Sequence, residues 1–394
     1  MESAEPTAAQ AITLFIVAFL VLPMAGCVDR DEAEQPGNLL RVAALFNDQD
    51  LQLRFEYPTE TPSWYHQYLV YRNGEWTRYG LGADGRDEHG FYEDRISVMW
   101  DDGSVRNFEN LGGYVAVHPG MRSTRSEVDS DAVGDHSYLG DELGRSDVRK
   151  FILESRDSDV SPLDAWEAVL PEDQIRELLE AGVFLDLWQW RAHRSNPIGF
   201  ADNGYVLDYR HSSSGRGMYT DNVDDSGAPA WMYDSEKTGF HALLFEQLVE
   251  QAYSQDDWYF LSESIAKPFD PEHDWQDGDA LPQRFLREPE GSRGAIRADG
   301  RHSDGAWQVR LTRSMEAPDP LDSKSFAEGD VFHVAFSVHS GAGARHHLVS
   351  LPLSFGFATD AEIIAQKVEG DLDEAEVEWV EIELFDPGDP TPER

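Results

Sequence analysis

Two stretches of the sequence carry side chains that could bind a metal ion or a haem iron. His118 and Met121 lie close together in the stretch 112–121, and the pair His346 and His347 lies between a glycine-rich stretch and an apolar run. Histidine and methionine both serve as axial ligands of haem iron, and methionine ligation raises the reduction potential. Taken singly, a histidine is more often a surface or hydrogen-bonded residue, so the residue types alone leave both interpretations open.

Other kinds of chemistry have little support in the sequence. It contains no G-x-S-x-G, no H-E-x-x-H, no P-loop and no G-x-G-x-x-G after a strand. The single cysteine, Cys27, excludes internal disulfides and also zinc or Fe–S sites held by several cysteines. A hydrolase built on a carboxylate pair stays open as a minor alternative, because acidic residues are so frequent that any such pair is expected by chance.

Acidic residues dominate the composition. The 394-residue chain has 75 Asp and Glu against 32 Lys and Arg, which gives a formal net charge of −43 at pH 7. A charge of this sign excludes a nucleic-acid-binding protein that relies on a basic surface. The many carboxylates and the scarcity of lysine resemble proteins of extreme halophiles, in which molar salt shortens the Debye length to about 3 Å. The acidity therefore says more about a saline environment than about a partner.

The N-terminus predicts export and attachment to a membrane. The apolar run Ala11–Leu22 is shorter than the roughly 20 residues of a spanning helix and matches the apolar region of a signal peptide. Small residues precede Cys27, which resembles a lipobox. We therefore expect a signal peptide over residues 1–26, lipidation of Cys27, a linker over residues 27–38 and an extracytoplasmic, lipid-anchored protein. A short uncleaved anchor is the alternative.

Most of the remaining chain is predicted to be β, because apolar and polar residues alternate along it. Leu39–Phe46 and the alternating stretch 51–57 form one antiparallel hairpin, and Asn73-Gly74 favours a type I′ turn in a second hairpin, over 67–79. Arg95–Trp100 is a short strand. Later strands are predicted at 307–311, 331–338 and 347–357.

Apolar residues at helical spacing interrupt this β pattern. They predict a helical insertion at about 147–186 and a further helix over 240–253. The fold class expected from these elements is an antiparallel β-sandwich with helical insertions, in one domain over residues 39–360. An acidic C-terminal segment is expected over 361–394, and its part 369–394 is predicted to be peripheral.

Several stretches resemble the haem-binding domain of the ethylbenzene-dehydrogenase type, which is also found as the gamma subunit of molybdenum enzymes of the DMSO-reductase group. They follow one another in the order of the family and together cover roughly residues 39–357. They are Tyr92–Trp100, Leu187–Ala192, Asn196–Asp202, Pro229–Tyr233, Trp275–Asp279, Gly305–Val309 and Gly329–Val338.

The resemblance implies a β-sandwich that holds one b-type haem between a methionine and a lysine. His347, or His346 one residue away, occupies the position of that lysine, and the methionine position falls near Met121. Relatives with a c-type haem carry C-x-x-C-H where this chain has Tyr-Val-Ala-Val-His ending at His118, so both thioether cysteines are absent. We therefore expect a non-covalent haem b with His347 on one face of the iron and Met121 or His118 on the other.

The propionates of such a haem call for arginine partners, because a guanidinium presents a fork that matches a carboxylate. The candidates are Arg191, Arg194 and Arg345. An iron held by two protein ligands has no open position for a substrate, which indicates electron transfer without catalysis by this chain.

By the same resemblance, the expected partner is a molybdenum oxidoreductase with Fe–S subunits. The alternative is a haem-free surface lipoprotein that binds a ligand or carbohydrate, since related sandwiches bind sugars and Trp64, Trp76 and Trp231 could stack on them. A degenerate relative that has lost its cofactor would belong to this second class.

Overall fold

Strands make up most of the regular structure. The computed structural model describes residues 38–79, 91–116, 128–148, 150–160, 165–340 and 347–386. The first ten strands are β1 (Leu39–Phe46), β2 (Asp50–Pro58), β3 (Tyr68–Arg72), β4 (Glu75–Arg78), β5 (Arg95–Asp101), β6 (Leu185–Arg191), β7 (Phe200–Val206), β8 (Arg210–Ser212), β9 (Tyr219–Asp221) and β10 (Trp231–Tyr233). The later strands are β11 (Leu243–Leu244), β12 (Leu261–Ser262), β13 (Ala266–Pro268), β14 (Asp279–Pro282), β15 (Arg284–Leu286), β16 (Ile296–Ser303), β17 (Ala306–Ser314), β18 (Val331–His339), β19 (Leu348–Val349), β20 (Leu353–Phe357), β21 (Ile363–Lys367) and β22 (Val380–Glu383).

The helices of the described residues are short. The α-helices are α1 (Phe108–Leu111), α2 (Ser130–Gly134), α3 (Glu172–Glu180), α4 (Ser235–Thr238) and α5 (Phe245–Val249). Single 3₁₀ turns cover Gly112–Val115, Leu153–Ser155, Ala165–Glu167, Asn196–Ile198 and Gly291–Gly294, and a π turn covers Ser137–Glu142. No helix in this part of the chain has both the length and the apolar composition needed to cross a membrane.

The predicted hairpins are confirmed. β1 and β2 pair antiparallel with Phe46 opposite Leu51, and the side chain of Asn47 accepts hydrogen bonds from the backbone of the turn. In the second hairpin β3 pairs with β4, and Asn73 and Gly74 both have positive φ angles, 52° and 86°. Two consecutive positive φ angles define the type I′ turn that Asn-Gly favours, so local sequence sets this register.

The helical insertion is smaller than predicted. Among the described residues between 147 and 186, only α3 is a helix of more than six residues, and β6 begins at the end of that region. The second predicted helix, over 240–253, contains the short strand β11 and the single-turn α5. Helical spacing of a few apolar residues cannot distinguish a helix from turns that bury the same residues.

The main sheet closes on itself. Its ten strands follow the order β16-β17-β2-β1-β21-β20-β18-β5-β6-β7, and β16 also pairs with β7, with Ile296 opposite Ala201. β21 pairs parallel with both β1 and β20, whereas the other pairs of the ring are antiparallel. The mainly β prediction is confirmed, but these strands form a closed mixed barrel in place of the two separate antiparallel sheets of the predicted sandwich. Closure removes both free edges of the sheet.

The barrel interior is filled by aromatic and aliphatic side chains. Trp100, Trp188 and Trp190 are fully buried there, and Trp100 and Trp188 lie 5.2 Å apart between ring centroids. Gly300 on β16 faces Trp190, and a Cβ at this glycine would lie 2.4 Å from the indole ring. A glycine is therefore required where this tryptophan packs against the backbone of β16.

The chain after residue 360 contributes two strands to the main sheet. β21 lies between β1 and β20, with Ile363 and Ala365 buried, and β22 pairs with β1 through Ile382. A short parallel strand surrounded by acidic residues has no alternation long enough to be recognised in sequence. The predicted late strand over 347–357 is divided into β19 and β20, with Pro352 between them.

Three small sheets build a second core beside the barrel strands. They contain β10 with β13, β11-β14-β3-β4, and β12-β15-β9. Aromatic residues dominate this core: Tyr68 and Tyr233 are fully buried, and Trp275 stacks on Phe269 at 5.3 Å. Each sheet is too small to bury an apolar face by itself, so this shared core is what stabilises all three.

Candidate functional site

Three neighbouring barrel strands carry polar residues on their outer face. β18, β5 and β6 lie side by side, and their even-numbered residues, such as Val98 and Phe336, point into the barrel. Successive side chains of a strand alternate, so the odd-numbered residues face outward. By register they form three rows across the strands: His339, Arg95 and Arg191; Ser337, Ser97 and Gln189; and Ala335, Met99 and Leu187.

A cleft of about 980 Å³, part of it open to solvent, lies over these rows. Small side chains, Ser97, Ser337 and Ala335, form much of its floor, and Met99 and Leu187 add apolar surface. Its walls include Tyr114, Lys150, Arg210, His339, His347 and Val349. The small floor residues leave room for a flat ligand over the sheet, and the walls bring polar side chains to its edge.

One wall of the cleft depends on a glycine. The 3₁₀ turn Gly112–Val115 approaches the floor at Ala335, and Gly112 has a φ of +53°. A Cβ at Gly112 would lie 3.2 Å from the Cβ of Ala335 and 3.3 Å from the backbone nitrogen of Pro352. Only glycine combines this backbone conformation with such a close approach, which places Tyr114 at the rim.

The cleft is cationic although the protein is strongly anionic. Arg95, Lys150 and Arg210 line it, and none of the described lining residues is Asp or Glu. The chain as a whole carries 75 acidic residues against 32 basic ones. Cations gathered in a partly buried cleft create a positive potential, so this cleft attracts an anionic group.

Lys150 lies half-buried in the wall of the cleft. Burial, assisted by the charge of Arg210, lowers the pKa of its amine to about 8. A lysine with this pKa is neutral in a substantial fraction of molecules at mildly alkaline pH. Only the neutral amine has a lone pair for a metal, so Lys150 is a possible ligand that the sequence did not indicate.

Arg95 is a buried cation at one end of the cleft floor. Burial lowers its pKa to about 10, so the guanidinium remains charged at neutral pH. It lies over the ring of Tyr92, 4.5 Å from the centroid. Burial raises the pKa of Tyr92, but the charges of Arg95 and Arg194 outweigh it and the pKa is lowered overall.

His347 lies in the cleft and stacks on His339, with ring centroids 4.7 Å apart and an angle of 12° between the planes. Burial, with the charges of Arg95 and His347, lowers the pKa of His339 well below its usual value, so this imidazole is neutral. Ligating nitrogens lie on the edges of an imidazole ring. Two stacked rings therefore cannot grip one metal ion from opposite sides, and the pair offers at most one axial ligand.

Two predicted propionate partners already have acidic partners in the structure. Arg191 Nη1 lies 2.7 Å from Asp202 Oδ2, and its Nη2 donates to Gln189. Arg194 forms an ion pair with the fully buried Glu93. Neither arginine lines the cleft.

The other predicted site residues cannot be compared in this way. Met121, His118, His346 and Arg345, and also the predicted lipidation site Cys27, lie outside the described residues. Of the predicted iron ligands, the structure places His347 in the cleft. The residues described contain no group of three or more His, Cys, Asp or Glu able to hold a metal ion.

The structure adds three residues that the sequence analysis did not select: Arg95, Lys150 and His339. The sequence offered one indication of Arg95 and His339. Both occupy outward-facing positions of β5 and β18, strands whose inward-facing positions are apolar. Lys150 lies outside any helix or strand, so no strand pattern indicates it, and only the rarity of lysine in this chain draws attention to it. The cleft brings together residues 95, 150, 339 and 347, which are far apart in the sequence and follow no common spacing.

The three tryptophans considered as sugar platforms are packed against other residues. Trp231 is stacked on Phe285 at 4.8 Å with an angle of 6° between the rings. Trp76 contacts Trp275 at 5.0 Å, and the indole of Trp64 donates to the carbonyl of Tyr253. Each is partly buried, so these rings serve the second core.

Comparison with known families gives one match. The family model for ethylbenzene dehydrogenase matches residues 20–350, which is most of the chain. The chain therefore belongs to the ethylbenzene dehydrogenase family. No curated protein matches the sequence.

Proposed function

We propose that this member of the ethylbenzene dehydrogenase family is a b-type cytochrome that binds one haem non-covalently in the cleft over β5, β6 and β18. The proposal is carried by the combination of side chains that line the cleft. Metal-binding imidazole and amine groups lie beside a flat, small-residue floor, and cations line it without any described carboxylate. A haem b needs such groups: an axial ligand, apolar contact and cationic partners for its propionates.

His347 would supply one axial ligand. Its imidazole faces the cleft and is held by the stack on His339. The second ligand would be Met121 or His118, as the sequence predicts, while the lowered pKa of Lys150 makes its amine a further donor in the same cleft. A bound haem would supply reversible one-electron transfer, with a potential tuned by the axial ligands and by burial.

The residues of the chain would bind and orient the haem without doing further chemistry. Two protein ligands leave no coordination position for a substrate, so the role is electron transfer. Arg95, Lys150 and Arg210 would compensate the negative charge of the propionates in a partly buried site. Met99, Leu187 and Val349 would exclude water from part of the haem surface.

The proposed setting is outside the cytoplasm, on a membrane. It is supported by the apolar run before Cys27 and by the small residues that precede this cysteine. The proposed partner is a molybdenum oxidoreductase with Fe–S subunits, in line with membership of the family. In this arrangement the chain passes electrons between a carrier and the enzyme, and the lipid anchor keeps it near the membrane.

Haem reconstitution tests the proposal directly. The protein is refolded in high salt with haemin, and the absorption spectrum is recorded. We expect a low-spin spectrum with a sharp Soret band and resolved α and β bands. His347→Ala should convert it to a high-spin spectrum, because an axial ligand is lost. Lys150→Leu, which introduces no ligating atom, keeps the low-spin form if Met121 or His118 is the second ligand and loses it if the lysine is.

His333→Ala is the matched control for these variants. His333 lies on the outer face of β18, as His339 does, but it does not line the cleft. Its variant should retain the wild-type spectrum. If haemin fails to bind at any salt concentration, the cytochrome proposal is wrong and a haem-free binding module takes its place.

A further inference from the structure

The row at the end of the cleft floor contains a buried cation that forms no ion pair with the described residues. Arg95 opens β5 and lies between Arg191 on β6 and His339 on β18. Only 8% of its surface is exposed, and its side chain lines the cleft. Its Nε and Nη2 atoms are buried and make no hydrogen bond within the described residues.

The acidic groups nearest to this row are already engaged by other donors. Asp202 accepts from Arg191 and from Arg293, at 2.7 Å and 3.0 Å. Glu93 pairs with Arg194 and also accepts from the backbone nitrogens of His193 and Arg194. No ion pair to Arg95 is formed among the described residues, and its close contact is the ring of Tyr92.

A buried guanidinium without an anion is unfavourable for folding. Removing a charge from water is costly unless a partner and hydrogen bonds replace the lost hydration. The neighbouring cations Arg194 and Arg191 increase this cost, because like charges repel in a medium of low dielectric constant. A residue kept under these conditions, with donors facing a cleft, is suited to an anion that arrives with the ligand.

We propose that Arg95 is the receptor for a carboxylate of the ligand bound in the cleft. The inference rests on the proposed function, under which that carboxylate is a haem propionate. Among the cations that line the cleft, Arg95 is singled out by its buried donor atoms that make no hydrogen bond within the described residues. The predicted partners Arg191 and Arg194 already pair with carboxylates of the protein. A guanidinium can hold a carboxylate through two parallel hydrogen bonds, which fixes the direction in which the ligand enters the cleft.

A comparison of two porphyrins tests this role. The full chain is refolded in high salt and titrated with haemin and with haemin dimethyl ester, in which both propionates are esterified and uncharged. Dissociation constants are taken from the Soret band. We expect the wild type to prefer haemin by about tenfold or more, since a charge-assisted pair to a buried cation is lost with the ester.

Arg95→Leu should remove most of this preference and leave the affinity for the ester near the wild-type value. The preference of Arg95→Gln for haemin should lie between those of the wild type and Arg95→Leu, because an amide keeps a hydrogen-bond donor and loses the charge. Arg301→Leu is the control: Arg301 is an exposed arginine that pairs with Asp256, away from the cleft. It should keep the full preference for haemin.

The melting temperature of the protein without porphyrin provides a second measurement. Arg95→Leu should leave it unchanged or raise it, because a buried unpaired charge is removed. Arg191→Leu should lower it, because Asp202 loses a partner. A comparable loss in Arg95→Leu would show that Arg95 serves the fold, which overturns the inference.

The possible outcomes separate the two proposals. Equal affinity of the wild type for both porphyrins overturns the role of Arg95 and leaves haem binding intact. Failure of both porphyrins to bind overturns the proposed function and the inference with it. Loss of the preference in Arg95→Leu alone supports both.

Discussion

Buried cations occur in two regions of this barrel, and they differ in how they are compensated. At one end of the barrel, Arg313 lies 2.7 Å from Asp186, both fully buried, and Asp186 also accepts from the backbone of Lys324. In the cleft, Arg95 makes no ion pair within the described residues. In the first arrangement two opposite charges of the chain pair with each other, whereas Arg95 has no such carboxylate among the described residues. Burial of a paired charge is compatible with a role in the fold, and burial of an unpaired one favours the proposed role in ligand binding.

The largest effect expected from this comparison is the loss of the buried pair. Arg313→Ala should lower the free energy of unfolding by about 3–5 kcal/mol, because Asp186 would remain as a buried charge without its main partner. Urea unfolding monitored by tryptophan fluorescence measures it.

The control lies on the same strand. Arg310 pairs with Asp373 at 2.8 Å, but both side chains are substantially exposed. Arg310→Ala should therefore change the free energy of unfolding by less than about 1 kcal/mol. An equal decrease in the free energy of unfolding in the two variants would show that burial does not determine how much an ion pair stabilises this protein.

Acid should weaken the fold through two buried histidines, His66 and His193, whose ring centroids lie 6.2 Å apart. Neither ring nitrogen of His66 forms a hydrogen bond with the described part of the chain, and burial lowers the pKa of His66 well below the usual value. Burial also lowers the pKa of His193 to about 4. Since both pKa values are lower in the folded state, the unfolded chain binds more protons between about pH 6.5 and 4.

The free energy of unfolding should therefore fall as the pH is lowered through this window, by up to about 1.4 kcal/mol per pH unit for each histidine. Denaturant unfolding at several pH values measures the slope. His66→Gln should flatten it, because one of the two groups no longer titrates. An unchanged slope in this variant would assign the acid sensitivity to carboxylates, such as Glu93, whose pKa is also lowered.

The smallest effect concerns Lys150, the half-buried cation of the cleft. Its pKa of about 8 lies below the ordinary value of a lysine, so its charge destabilises the ligand-free fold below about pH 8. This cost is relieved as the pH rises from about 8 towards 10. Lys150→Met should therefore stabilise the ligand-free protein at pH 7 by up to about 1 kcal/mol, with the difference vanishing near pH 10.

The control for Lys150→Met is Lys237→Met, since Lys237 is exposed and donates to the carbonyl of Ser264. Thermal unfolding at pH 7 and pH 10 measures both. Stabilisation that is the same at the two pH values would mean that the methionine side chain packs better in the cleft wall and that the charge of the lysine is unimportant.

The elements with local causes could be predicted from the sequence alone. Alternation fixed β1 and β2, Asn73-Gly74 fixed the type I′ turn, and the same alternation on β5 and β18 separated an apolar from a polar face. The family could also be recognised, since its motifs follow in order along the chain. Of the proposed ligands, His347 could be named from sequence, and the structure places it in the cleft.

The closure of the barrel, and the carboxylate that each buried cation meets among the described residues, depend on contacts between segments far apart in sequence. β16 pairs with β7, about a hundred residues away in the sequence. β21 lies in a segment without a recognisable alternation of apolar and polar residues. The charge state of a site depends on distances between side chains: Arg191 and Arg95 are both arginines on neighbouring strands, but Asp202 reaches only the first. Sequence lists donors and acceptors, whereas folding decides which of them meet, because Coulomb energy and desolvation depend on separation and burial.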